Sequence, residues 1–114
     1  MRHNKKRICR IVDELMTYLF TMGATEITAS VREEENQFII ILRSNFTEFS
    51  EKEVKRLVRR LNIERQVEME EYYWELTGES DIDTELTLVG MMTDKGEVRF
   101  LDNNTIEITL YRYK

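Results

Sequence analysis

The stretch GATEITASVREEENQFIIILRSNFTEFS, from Gly23 to Ser50, decides the fold. Ile27, Ala29 and Val31 alternate with Thr28, Ser30 and Arg32, the period-two pattern of a half-buried strand. The polar run Glu33-Glu34-Glu35-Asn36-Gln37 reads as a solvated turn, and Phe38-Ile39-Ile40-Ile41-Leu42 as a second strand covered on both faces. Leu42 to Ser50 then leaves that strand and enters a basic helix. A loop between a strand and a helix is a common seat for a ligand.

Outward from this hairpin, residues 5–22 carry Ile8, Ile11, Val12, Leu15, Leu19 and Met22 at helical spacing, with Gly23 placed to end the helix in a left-handed cap. Arg7, Glu14 and Tyr18 share one flank of that stripe; Cys9, Met16 and Phe20 share the other, where packing roles are expected. Ser50 is the expected cap of the next helix, with Glu53 reaching back and Phe49 stapled to Val54. Val54, Leu57, Val58 and Leu61 form its apolar stripe, leaving Lys52, Lys55, Arg56, Arg59 and Arg60 outward. The phase changes near Asn62. A helix bearing Ile63, Val67, Tyr73, Trp74 and Leu76 is expected to follow, then one with Ile82, Leu86, Val89 and Met92 inward. Residues 98–101 and 106–111 close the chain as a hairpin around Asp102-Asn103-Asn104. The order α-β-β-α-α-α-β-β predicts an α+β two-layer sandwich. Its four-stranded mixed sheet consists of two hairpins, with helices on one face.

One domain is expected from 114 residues, and charged residues at 34% with hydrophobic ones at 41% describe a globular chain with much solvated surface. The net charge of −5 argues against nucleic acid or an anionic membrane as the main partner. Cys9 is the only cysteine, which excludes a disulfide framework and suits a reducing cytoplasm. Asp13 and Glu14 interrupt the first apolar segment, so neither a signal peptide nor a membrane span is expected there. His3 is the sole histidine, so a histidine-based catalytic triad is not expected.

Glu14-Leu15-Met16-Thr17-Tyr18-Leu19 through Gly23-Ala24 resembles the first motif of the GHKL superfamily, the ATP-binding domain of histidine kinases, Hsp-type chaperone ATPases and bacterial anti-sigma-factor serine kinases. That motif reads Glu-Leu-x-x-Asn-Ala-x-x-His-Gly/Ala. Leu42-Arg43-Ser44-Asn45-Phe46-Thr47-Glu48-Phe49 is similar to the second, hydrophobic-x-Asp-x-Gly-x-Gly-hydrophobic. Residues 84–89 stand where the family has its phosphate-side glycines, and the stretches 88–94 and 105–110 are similar to the anti-sigma branch. The resemblance implies a nucleotide site at Glu14, Tyr18, Ser44, Asn45, Phe46 and Glu48. It also implies that the site is degenerate. Tyr18 replaces the magnesium-holding Asn, Ser44 the adenine-binding Asp, and Phe46 and Glu48 the loop glycines; Thr84 and Leu86 stand near the phosphate-side pair.

The reading that follows is a non-catalytic regulatory module that binds a protein partner, with no cofactor. Tyr18 and Phe46 are expected to pack together where the family holds nucleotide. The basic residues Lys52, Lys55, Arg56, Arg59 and Arg60 are the candidate partner surface, and a homodimer is a further expectation from the resemblance. The alternative is a residual anti-sigma-type serine kinase with Glu14 as acid/base, using ATP and magnesium. A nucleic-acid binder is the second alternative, opposed by the acidic total and by basic clusters without interleaved aromatics.

Overall fold

The computed structural model describes residues 4–47, 50–62, 89–90 and 92–114. Within them the chain runs α1 (Asn4–Thr21), β1 (Ile27–Glu33), β2 (Gln37–Asn45), α2 (Glu51–Leu61), β3 (Lys95–Asp102) and β4 (Thr105–Tyr113). The expected helices on residues 63–88 lie outside the described residues, although Val89 and Met92 are helical and buried as expected. The four strands form one α+β sheet in the order β1-β2-β4-β3.

The expected mixed sheet is corrected. Every described pairing is antiparallel, including the central one, where Ile40 lies opposite Leu110 and Leu42 opposite Ile108. Two hairpins whose second strands meet side by side give no parallel neighbours when those strands run oppositely.

α1 ends as its sequence requires. Gly23 sits at φ +91°, Ala24 N–H donates to the Leu19 carbonyl at 3.1 Å and Gly23 N–H to the Phe20 carbonyl at 3.1 Å, a Schellman closure with Ala24 buried beside it. A Cβ on Gly23 would also meet Thr47 Oγ1 at 2.0 Å, so the loop after β2 can approach only a glycine here. At the other helix, Ser50 Oγ accepts from Glu53 N–H at 3.1 Å, the expected cap. Phe49, its expected staple, lies outside the described residues.

Ile8, Ile11, Leu15 and Leu19 of α1, with Leu57 and Leu61 of α2, join Ile40, Leu42, Ile106, Ile108 and Leu110 in one core. These strand residues share one face by register. The half-buried strand expected at 27–31 is corrected. Only Ile27 is half-buried, while Ala29 and Val31 are exposed, because β1 is an edge strand. Cys9 and Phe20, expected to pack, are exposed as well; Met16 does pack on the core.

The two ends of the core meet at a junction the sequence did not announce. Asn62, the C-cap of α2, donates from Nδ2 to the Gly96 carbonyl at 2.8 Å and accepts from Gly96 N–H at 2.9 Å through Oδ1. One side chain thus pairs with both outward backbone groups of a β3 residue, as a neighbouring strand would. A Cβ on Gly96 would lie 2.8 Å from Leu61 Cβ, so glycine lets the helix close onto the strand.

Candidate functional site

The residues expected to hold nucleotide are tied to the chain itself. Glu14 is buried on α1, and its Oε1 lies 3.0 Å from Nε of Arg10 one turn earlier. Tyr18 is buried, and its hydroxyl donates to Glu53 Oε2 at 3.3 Å, joining the last turns of α1 to the first turn of α2. Ser44, at the end of β2, is buried and donates to the Asn45 carbonyl at 2.7 Å.

Asn45 clamps the loop between α1 and β1. Its Oδ1 accepts from Thr25 N–H at 2.8 Å and from Glu26 N–H at 3.0 Å, and its Nδ2 donates to Thr25 Oγ1 at 2.7 Å. Phe46 packs on the core and meets Phe100 with ring centroids 5.7 Å apart. Tyr18 lies in the core and Phe46 packs against that same core, while the ring contact found for Phe46 among the described residues is with Phe100. The phenol is drawn toward a carboxylate on α2, and the Phe46 ring toward the β3–β4 hairpin, where its N–H donates to the Asn104 carbonyl at 3.1 Å. Glu48 lies outside the described residues.

A cleft of about 690 Å³ opens beside these residues, between the end of α1, the loop after β2 and the first turn of α2. Thr21, Gly23, Thr47, Ser50 and Glu53 line it, with Phe20 at its side. Glu14, Tyr18, Ser44, Asn45 and Phe46 do not line it. Among the described residues no three of His, Cys, Asp and Glu converge as metal ligands would.

Of the expected partner surface on α2, Lys52, Lys55 and Arg59 are exposed and Arg56 and Arg60 half-buried. Lys55 lies 3.8 Å from Glu51 and Arg56 4.0 Å from Glu53, so part of this basic face is answered along its own helix. No described helix is long and apolar enough to cross a membrane.

One cluster escaped the sequence reading. On the sheet face opposite the core, Arg43, Glu107 and Arg99 stand in one row across β2, β4 and β3. Arg43 Nε donates to Glu107 Oε2 at 2.6 Å and Arg99 Nη2 to Oε1 at 2.7 Å. The hydrogen bond from Arg43 holds the Glu107 carboxyl below its usual range against the opposing effect of burial, and Arg99 adds to it. Alternation on each strand could have placed the three on the outer face; only the pairing register makes them neighbours.

No protein-family model matches this chain, and neither a curated protein nor a solved structure matches it.

Proposed function

We propose that the chain is a non-catalytic, protein-binding regulatory module of the cytoplasm. Its scaffold is a GHKL-like two-layer sandwich that has given up its nucleotide site. The observation that carries this reading is that Tyr18, Asn45 and Phe46, which stand at the nucleotide-contacting positions of the motifs, each hold one part of the chain to another, while the Ser44 hydroxyl is spent on the neighbouring carbonyl. A group already satisfied inside the fold offers a ligand little. Breaking an internal hydrogen bond to make an external one returns no net energy.

The test is calorimetric titration with magnesium-ATP. Binding no tighter than about 1 mM, near −4 kcal/mol, is the expected result, and a micromolar constant would overturn the reading. The cleft beside Gly23 and Thr47 favours a second reading, residual nucleotide binding. Amide shifts at Gly23, Thr47 and Ser50 during the same titration would select it.

A further inference from the structure

We propose that the outer face of the sheet is a docking surface for an extended acidic segment of a protein partner, anchored on the Arg43–Glu107–Arg99 row. The inference rests on the reading of the chain as a protein-binding module and names the partner's chemistry.

The register lays out this face. Thr28, Arg43, Glu107 and Arg99 form one row, Ser30, Ile41, Thr109 and Glu97 the next, and Arg32, Ile39, Tyr111 and Lys95 the third. The buried aliphatic residues of β2 and β4 that pack on the helices all point the other way.

In the first row two cations share one carboxylate. The row therefore carries a surplus positive charge on a chain whose total is −5. The Arg43 and Arg99 side chains are 59% and 67% exposed, whereas Glu107 is 9% exposed. Each guanidinium gives one short bond to Glu107, and its other N–H donors face outward.

Glu107 thus acts as a positioning residue. It draws together the guanidiniums of two arginines whose backbones stand about 9.5 Å apart, two strand spacings, so less side-chain freedom is lost when a partner arrives. Arginines fixed in this way suit the planar fork of a carboxylate. The adjoining rows offer Ile41, Thr109 and Tyr111, half-buried, against which short apolar side chains can rest. A segment alternating carboxylate with apolar residues matches both features. Nucleic acid matches only the first, since its phosphate backbone offers no apolar side chains to the adjoining rows.

The experiment is an amide-shift titration of the whole chain with an acetylated, amidated decapeptide of alternating Glu and Val, at low and at 300 mM salt. The expected result is a dissociation constant below about 1 mM at low salt, with shifts on β2, β4 and β3 and marked weakening at high salt. Arg43→Gln with Arg99→Gln should weaken binding tenfold or more. Thr28→Glu leaves the row intact but sets a competing carboxylate beside Arg43, and should weaken binding several-fold in a chain that remains folded.

The proposal is overturned by an absence of shifts on this face, by shifts confined to α2, by equal binding of a Lys-for-Val-and-Glu control peptide, or by duplex DNA binding more tightly. Silence toward the peptide with no magnesium-ATP binding removes this surface alone. Micromolar magnesium-ATP binding removes the underlying reading instead.

Discussion

The α2–β3 junction carries the sharpest prediction. Asn62→Ala removes three hydrogen bonds, those joining Asn62 to the Gly96 N–H and carbonyl and a third, 2.8 Å long, from Nδ2 to the Val58 carbonyl. Each is worth about 1 kcal/mol net, and Gly96 is buried, so its abandoned N–H adds a desolvation cost. Because Asn62 itself is exposed, water can enter from that side, and a total of about 2–3 kcal/mol is expected. At roughly 4 °C per kcal/mol for a chain of this size, the midpoint should fall by about 8–12 °C. Gly96→Ala attacks the same junction sterically, with its new Cβ 2.8 Å from Leu61 Cβ and 3.1 Å from Leu110 Cδ2. Neither Leu61 Cβ nor the strand can yield cheaply, so about 1–3 kcal/mol is expected. A helix pushed off the strand has already lost its Asn62 bonds, so the double variant should be more stable than the sum predicts by at least about 0.5 kcal/mol. Thermal melts followed by circular dichroism, with denaturant titrations, measure all three. A midpoint for Asn62→Ala within about 1 °C of the parent, or strict additivity, would refute the junction.

Three further outcomes follow from the same contacts. Phe46→Gly should cost about 1–3 kcal/mol in denaturant midpoint, since it strips a ring from the core and from Phe100 and loosens the loop; an unchanged midpoint would mean that the ring is solvated. Glu107, whose carboxyl titrates below its usual range, binds fewer protons folded than unfolded, so its contribution is present above about pH 4.3 and lost as pH falls below that. Glu107→Gln should therefore differ from the parent at neutral pH and converge with it in acid, as denaturation across pH would show. Cys9 is exposed and should react with a thiol reagent in the native chain, without denaturant and nearly as fast as a free peptide thiol; slow labelling would place it inside.

What the sequence made legible was local. The strand alternation at 27–31, the aliphatic run at 38–42, the Gly23 cap and the Ser50 cap all depend on residues within a turn or two of one another, and all four elements are present. What stayed hidden was set by pairing at a distance. Arg43 and Glu107 are 64 residues apart, and the antiparallel meeting of β2 with β4 that joins them leaves no local trace. The exposure of Val31 has the same origin, because alternation reports that a strand has two faces but not that the strand stands at an edge. Asn62 showed only as a change of phase, and its pairing with Gly96 became visible once α2 lay beside β3.

The polar groups expected to meet a nucleotide are engaged within the chain, and this bears on what they can bind. A pocket built for a ligand leaves donors and acceptors unanswered until the ligand arrives, and such groups cannot be buried without partners. At these positions the side chains supply their own answers. A phenol reaches a carboxylate across 35 residues, a buried hydroxyl turns to the next carbonyl, and an amide clasps two backbone N–H groups of the preceding loop. The phenol joins α1 to α2 and the amide joins the loop after α1 to β2, while the Ser44 bond stays within β2. The arginines of the outer face are arranged in the opposite way, with one carboxylate satisfied inward and most donors left outward. On the proposal made above, unspent hydrogen-bonding capacity, rather than motif position, marks the surface offered to a partner.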